Sequence, residues 1–153
     1  MGRIELSFES ELTASPQKVW EWITSLQCIL SEMRPYFRMT APPGMESIQN
    51  VDIIPGRPLF RSRVYLFGFI PIDYSDLTLI AIDRGSGFIE QSPMGTMKLW
   101  RHERRIVEVP GGCRIIDSLT FEPAMASAIV GWFIRTVFRH RHAVLRRNLG
   151  RTR

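Results

Sequence analysis

The stretch MKLWRHERRIVEVPGGCRIIDSLTFEP, residues 97–123, and the run AMASAIVGWFIRTVFRHRHAVLRRNL behind it, residues 124–149, decide the fold. The first is a hairpin. Apolar and polar residues alternate on both sides of Pro110-Gly111-Gly112, a turn signal, so strands are predicted over 96–109 and 113–122. A turn centred there sets Glu108 by Cys113, Ile106 by Ile115, Arg104 by Asp117, His102 by Leu119 and Trp100 by Phe121. On that register Trp100, Ile106, Ile115, Leu119 and Phe121 share one apolar face, and His102, Arg104 and Asp117 share it with them. The second stretch is helical. Ala126, Val130, Phe133, Val137, Val144 and Asn148 fall on one stripe, flanked by Trp132 and Phe138. About 25 residues of helix span roughly 37 Å, enough to cross a whole sheet.

Working outward, residues 87–92 form a short strand and 73–83 a longer one, joined by Arg84-Gly85-Ser86-Gly87. Residues 59–68 form another strand before the Ile70-Pro71 break. Connections this short and rich in turn residues predict a sequential antiparallel meander. Residues 40–50, TAPPGMESIQN, read as a loop. At the N-terminus Ile4, Leu6 and Phe8 alternate with Glu5, Ser7 and Glu9, the period of a half-buried strand. Ser15 then offers an N-cap and Pro16 suits the first helical position. Val19, Trp20, Ile23 and Leu26 follow at helical spacing. A second short helix covers 28–33 and stops at Arg34-Pro35. The order is strand, two short helices, about six strands and one long helix. It predicts an α+β fold, with a curved antiparallel sheet of six to seven strands around the C-terminal helix. Such a sheet can leave a cavity between its concave face and the helix.

Composition bounds the function. The chain has 153 residues, 44% hydrophobic and 23% charged, which predicts one domain over 1–153 with a core of its own. No apolar run approaches the ~20 residues of a membrane span, and the N-terminus lacks a signal-peptide pattern. Cys28 and Cys113 have no metal-ligand spacing and read as reduced, so the cytoplasm is the expected compartment. The net charge is +5, yet residues 124–153 carry seven arginines and no acid, leaving 13 basic and 15 acidic residues in 1–123. Nucleotide-binding glycine motifs are absent, and no metal or cofactor is expected. His140 and His142 are two apart on a helix and point to different faces.

Three segments carry a family resemblance: FESELTASPQKVWEWITSLQCILSEM, residues 8–33; GFIEQSPMGTMKLWRHERRI, residues 87–106; and CRIIDSLTFEP, residues 113–123, with the helix ending FRHRHAVLRR, residues 138–147. In this order they resemble the helix-grip superfamily, also called START-like or SRPBCC. It includes polyketide cyclases, lipid-transfer domains and plant ligand-binding allergens. The match extends over almost the whole chain and looks most like a bacterial branch. The resemblance implies a ligand cavity, with the loop 40–50 as its entrance. Where that branch often carries a second histidine, this chain has Arg104, so a mechanism built on paired histidines is not implied.

The expected ligand-binding residues are Trp100, His102, Arg104, Asp117, Glu90, Phe121 and Phe133. In the functional version His102 orients or deprotonates a polar group of the ligand, while Arg104 and Asp117 fix its other end. In the structural version Arg104 and Asp117 form a buried cross-strand ion pair with His102 beside them. Glu90 is either a further acid in the cavity, or solvated, or paired with Lys98. Of Arg61, Arg63 and Tyr65, Arg61 is expected at the surface.

The leading functional expectation is binding or transport of a small hydrophobic molecule such as a lipid, quinone or polyketide-like compound. The alternative is a cyclase or dehydratase-type enzyme in the same cavity, with His102 moving a proton. Whether a reaction occurs is left open by the residues. The arginines at 135, 139, 141, 146, 147, 151 and 153 form either a solvated helix face or a peripheral contact with an anionic membrane or acidic partner. Nucleic acid is not expected.

Overall fold

The computed structural model describes residues 2–50 and 53–150. The chain opens with strand β1 (Ile4–Leu12), whose alternation puts Ser10 and Leu12 inside and Glu5, Ser7, Glu9 and Glu11 out. Helix α1 (Pro16–Thr24) starts where Ser15 Oγ accepts the Lys18 N–H at 3.2 Å. It buries Val19, Trp20 and Ile23. Ser25 caps helix α2 (Leu26–Met33) in the same way, accepting the Cys28 N–H at 3.3 Å. The short strand β2 (Phe37–Met39) and a turn of 3-10 helix at Ile48–Asn50 precede the meander. It runs through β3 (Pro58–Leu66), β4 (Ile70–Asp83), β5 (Gly87–Gln91), β6 (Met97–Val109) and β7 (Gly112–Pro123). Helix α3 (Ser127–Leu149) closes the fold.

The seven strands form one antiparallel sheet in the order β1-β7-β6-β5-β4-β3-β2. Because β1 pairs with β7, the two short helices carry the chain from one edge of the sheet to the other. This is the α+β helix-grip arrangement expected from the sequence. The hairpin register holds pair by pair: Trp100 with Phe121, His102 with Leu119, Arg104 with Asp117, Ile106 with Ile115. The short strand β2 is not among the elements expected from the sequence. Three residues show too little alternation to be seen.

The stripe of α3 needs correction. Its buried face is Ile134, Val137, Phe138, Arg141, His142, Val144, Leu145 and Leu149, while Asn148 is exposed. Arg141 therefore leaves the solvated face expected for it. Arg135, Arg139 and Arg147 remain exposed, and Arg146 is half-buried. Arg151 and Arg153 lie outside the described residues. Both cysteines are free, with Cys113 buried. Among the described residues no helix is long and apolar enough to cross a membrane.

Arg141 and His142 belong to a polar layer. Along β6, β7, β1 and α3 one apolar cluster holds Ile106, Ile115, Leu12 and Leu145, and another holds Leu119, Phe121, Ile134 and Phe138. Between them come Arg104, Asp117, Ser10, Arg141 and His142, with Glu32 reaching in from α2. All six are buried, so polar atoms cut off from open space need partners inside the protein.

Candidate functional site

Asp117 is the hub of this layer. Its carboxylate accepts from His102 Nε2 at 2.6 Å, Arg104 Nε at 2.8 Å, Arg104 Nη2 at 3.0 Å and His142 Nε2 at 2.7 Å. Burial opposes its charge, but Arg104 and His102 outweigh burial and hold the carboxyl well below the usual range. Arg104 extends away from Asp117 to Glu32, donating from Nη1 at 3.0 Å and Nη2 at 2.8 Å. Glu32 also accepts from Arg141 Nε at 3.0 Å and Trp22 Nε1 at 2.9 Å. Burial pushes the Glu32 carboxyl up, and the two arginines pull it below its ordinary value. No fully buried side-chain nitrogen or oxygen among the described residues lacks a partner.

An ionised carboxylate only accepts, so each histidine donates to Asp117 from Nε2. His142 Nδ1 then stands 2.7 Å from Ser10 Oγ and hydrogen-bonds it. The Ser10 oxygen in turn accepts from Arg146 Nη1 at 2.8 Å. His102 likewise donates from Nε2, which turns Nδ1 toward Glu90, 3.9 Å from its Oε1. That gap is too long for a direct hydrogen bond. Phe88 and Phe138 meet the His102 ring edge-on, with centroids 6.2 and 5.2 Å away, and fix its plane.

His102 stands on the wall of a cavity of about 460 Å³ between the sheet and α3. That volume suits a small organic molecule. Leu30, Met33, Phe60, Leu77, Met97 and Val137 are typical of its lining. Of the expected site residues, Glu90, Trp100, His102 and Phe133 line it. Arg104, Asp117 and Phe121 do not. Arg104 spends its hydrogen bonds on Asp117 and Glu32, Asp117 accepts from Arg104 and the two histidines, and Phe121 packs against Trp100 at 5.7 Å between ring centroids. The buried ion pair is therefore present, with His102 joining it to the cavity.

Glu90 is not paired with Lys98, which reaches Glu122 instead. Its Oε2 accepts from Ser92 Oγ at 2.7 Å, and its side chain keeps 14% exposure on the cavity wall. Burial pushes this carboxyl up, but His102 and Ser92 outweigh it and lower it from its ordinary value. Arg61 is exposed and pairs with Asp76 at 2.7 Å, as an outer-face residue should.

The sequence reading missed Glu32, Arg141, His142 and Ser10. For the helix a signal existed: Ile134, Val137, Phe138, Arg141, His142, Leu145 and Leu149 continue one three-and-four spacing. The loop 40–50 contributes Thr40, Ala41 and Ile48 to the wall. The exposed large apolar residues of the wall are elsewhere: Ile72 on β4 and Ile129 and Trp132 at the start of α3, at 40, 71 and 65% exposure, border the open side of the cavity.

A family model described as "Domain of unknown function (DUF8410)" matches residues 10–149. A sequence search among curated proteins gave no match. Among solved structures, a protein from Chromobacterium violaceum superposes with a TM-score of 0.67 at 10% identity, covering 99% of this chain and 100% of that one. A START superfamily protein from Mycobacterium smegmatis gives 0.64 at 8% identity, covering 97% of both chains. Ara h 8.0201 gives 0.58 at 16% identity, covering 94% of this chain and 99% of that one. At these identities the likeness is one of fold, and the fold is START-like.

Proposed function

The chain belongs to the DUF8410 family and has the helix-grip fold, and from that premise we propose that it binds a small, largely apolar molecule between the sheet and α3. One observation carries this reading: a cavity of about 460 Å³ with a predominantly apolar wall, in a protein where no fully buried side-chain nitrogen or oxygen among the described residues lacks a partner. Lipids, quinones and polyketide-like compounds all fit that description. Titration with the uncharged apolar fluorophore N-phenyl-1-naphthylamine tests it. Saturable binding near one per chain is expected, and no binding at any concentration would remove the proposal.

A second reading has its own observation. His102 is held by Asp117 through Nε2 and presents Nδ1 to the cavity, the arrangement of an oriented general base. A cyclase or dehydratase-type proton transfer is the chemistry it would serve. His102→Gln keeps much of the shape and removes the base. On an established substrate it should lower turnover at least ~100-fold, and unchanged turnover ends this reading.

Delivery to a membrane is the third. Met125, just before α3, and Ile129 and Trp132 in its first turns are exposed, the latter two at the rim of the cavity, followed by exposed Arg135 and Arg139. Apolar side chains beside cations suit an anionic bilayer, with the cavity mouth turned toward the lipid. Sedimentation with anionic vesicles should weaken with salt and fail for Trp132→Ala; equal binding to neutral vesicles would exclude it.

A further inference from the structure

The corner of the cavity around Phe138 holds hydrogen-bonding groups that the protein leaves unused. Arg141 places its guanidinium carbon 4.7 Å from the Phe138 ring centre. Its Nε is committed to Glu32. No hydrogen bond among the described residues engages its Nη1 or Nη2. Since no fully buried side-chain nitrogen there lacks a partner, these N–H groups face open space, and the open space Arg141 borders is the cavity. His102 sits against the same ring, with centroids 5.2 Å apart. Beside it, Glu90 uses Oε2 on Ser92 and leaves Oε1 with no donor within hydrogen-bonding distance, His102 Nδ1 being 3.9 Å away. The corner therefore offers donors from Arg141 and an acceptor from Glu90, inside an apolar wall.

The charges decide what such a corner accepts. Glu32, Asp117 and Glu90 bring three negative charges, and Arg104 and Arg141 bring two positive ones. His102, between Asp117 and Glu90, and His142, against Asp117, each add a positive charge only when protonated. With both neutral there is no surplus positive charge to receive an anion. A carboxylate would meet Glu90 in a region where unpaired charge is costly. An ammonium group would satisfy Glu90 but leave the Arg141 donors unmatched.

We propose that the ligand is an uncharged apolar molecule whose one polar end carries a carbonyl-type oxygen for Arg141 and an adjacent O–H or N–H for Glu90. Carboxamides and hydroxycarbonyl compounds have that pattern. This inference rests on the cavity-binding reading and narrows it.

Four probes of equal chain length separate the possibilities: decane, decanamide, decanoate and decylamine, each displacing N-phenyl-1-naphthylamine at a slightly alkaline pH. Decanamide should bind at least ten times more tightly than decanoate, and more tightly than decane and decylamine. Glu90→Gln removes the negative charge from the corner, and decanoate should gain at least tenfold relative to decanamide. Decanoate or decylamine binding best to the wild-type protein would overturn the inference, as would a Glu90→Gln variant with an unchanged ratio. Decane equal to decanamide would overturn the head-group assignment and leave cavity binding standing. Failure of the fluorophore and all four probes would overturn both.

Discussion

At the scale of single residues, the polar layer is held by opposite charges that cannot reach water. Arg104 is fully buried and is the only arginine that bonds both Asp117 and Glu32 among the described residues. Removing it leaves Asp117 to the two histidines and Glu32 to Arg141 and Trp22, with the buried negative charge no longer balanced. Arg104→Met should therefore cost about 3–5 kcal/mol, read from urea unfolding. A cost under about 1 kcal/mol would mean that water enters the layer. Acid should act on the same groups. Asp117, Glu32 and Glu90 have carboxyls held below their ordinary values of 3.8 and 4.5. A depressed folded value gives stability that is present above the unfolded value and is lost as pH falls through the folded one. Asp117→Asn should thus lower Tm at neutral pH by an amount that stays constant down to about pH 4 and shrinks below it. A constant difference through the acid range would place the stabilising charge elsewhere. None of this was visible from the sequence in detail. The Arg104–Asp117 pair was legible because a two-residue turn fixes the hairpin register. Glu32 was not, because nothing local marks which side of an eight-residue helix meets a strand 72 positions later.

At the scale of elements, the site depends on how closely β5 lies on β6. Gly87 opens β5 with φ at +153°, and a Cβ there would stand 2.1 Å from the Arg104 carbonyl oxygen. That backbone belongs to β6 between His102 and Ile106, and Glu90 pairs with His102 three residues further on. Gly87→Ala should cost about 1–3 kcal/mol or more and weaken binding of the apolar probe, because the strand has to move. Gly85 is the control. It also has positive φ, at +84°, but a Cβ there meets nothing within 4 Å. Gly85→Ala should cost about 1–2 kcal/mol and leave binding unchanged. Equal binding losses for both would show that loop strain, not strand spacing, governs the site. Strands and turns of this kind were readable because alternation and glycine turns are local signals. The long helix was readable in extent but not in rotation. The stripe from Ala126 to Asn148 passed over Arg141 and His142, whose burial depends on Glu32 and Asp117 arriving from other elements.

At the scale of the whole molecule, the sheet and α3 enclose space rather than filling it. A packed interior penalises added volume, and an extra aromatic ring forced into one costs about 1–3 kcal/mol. Val137 is buried on α3 and lines the cavity, so Val137→Phe distinguishes a hollow from a solid core. In a hollow core the ring occupies the ligand's place and gains contacts the empty wall lacks. Binding of the apolar probe should fall at least tenfold while Tm stays level or rises. Loss of stability with binding unchanged would mean that the sheet closes onto the helix in solution and the ligand sits elsewhere. The fold family makes a cavity an expectation, but its size comes from which side chains line it, and only the folded chain brings residues from α2, β4 and α3 to one wall. The same reasoning sets the division of labour in this molecule. The polar layer ties β6, β7, α2 and α3 together through charges whose positions are fixed, so the adjoining wall can remain apolar and unfilled without collapsing. If that is so, Arg104→Met should lose probe binding together with stability, whereas Val137→Phe should lose binding alone.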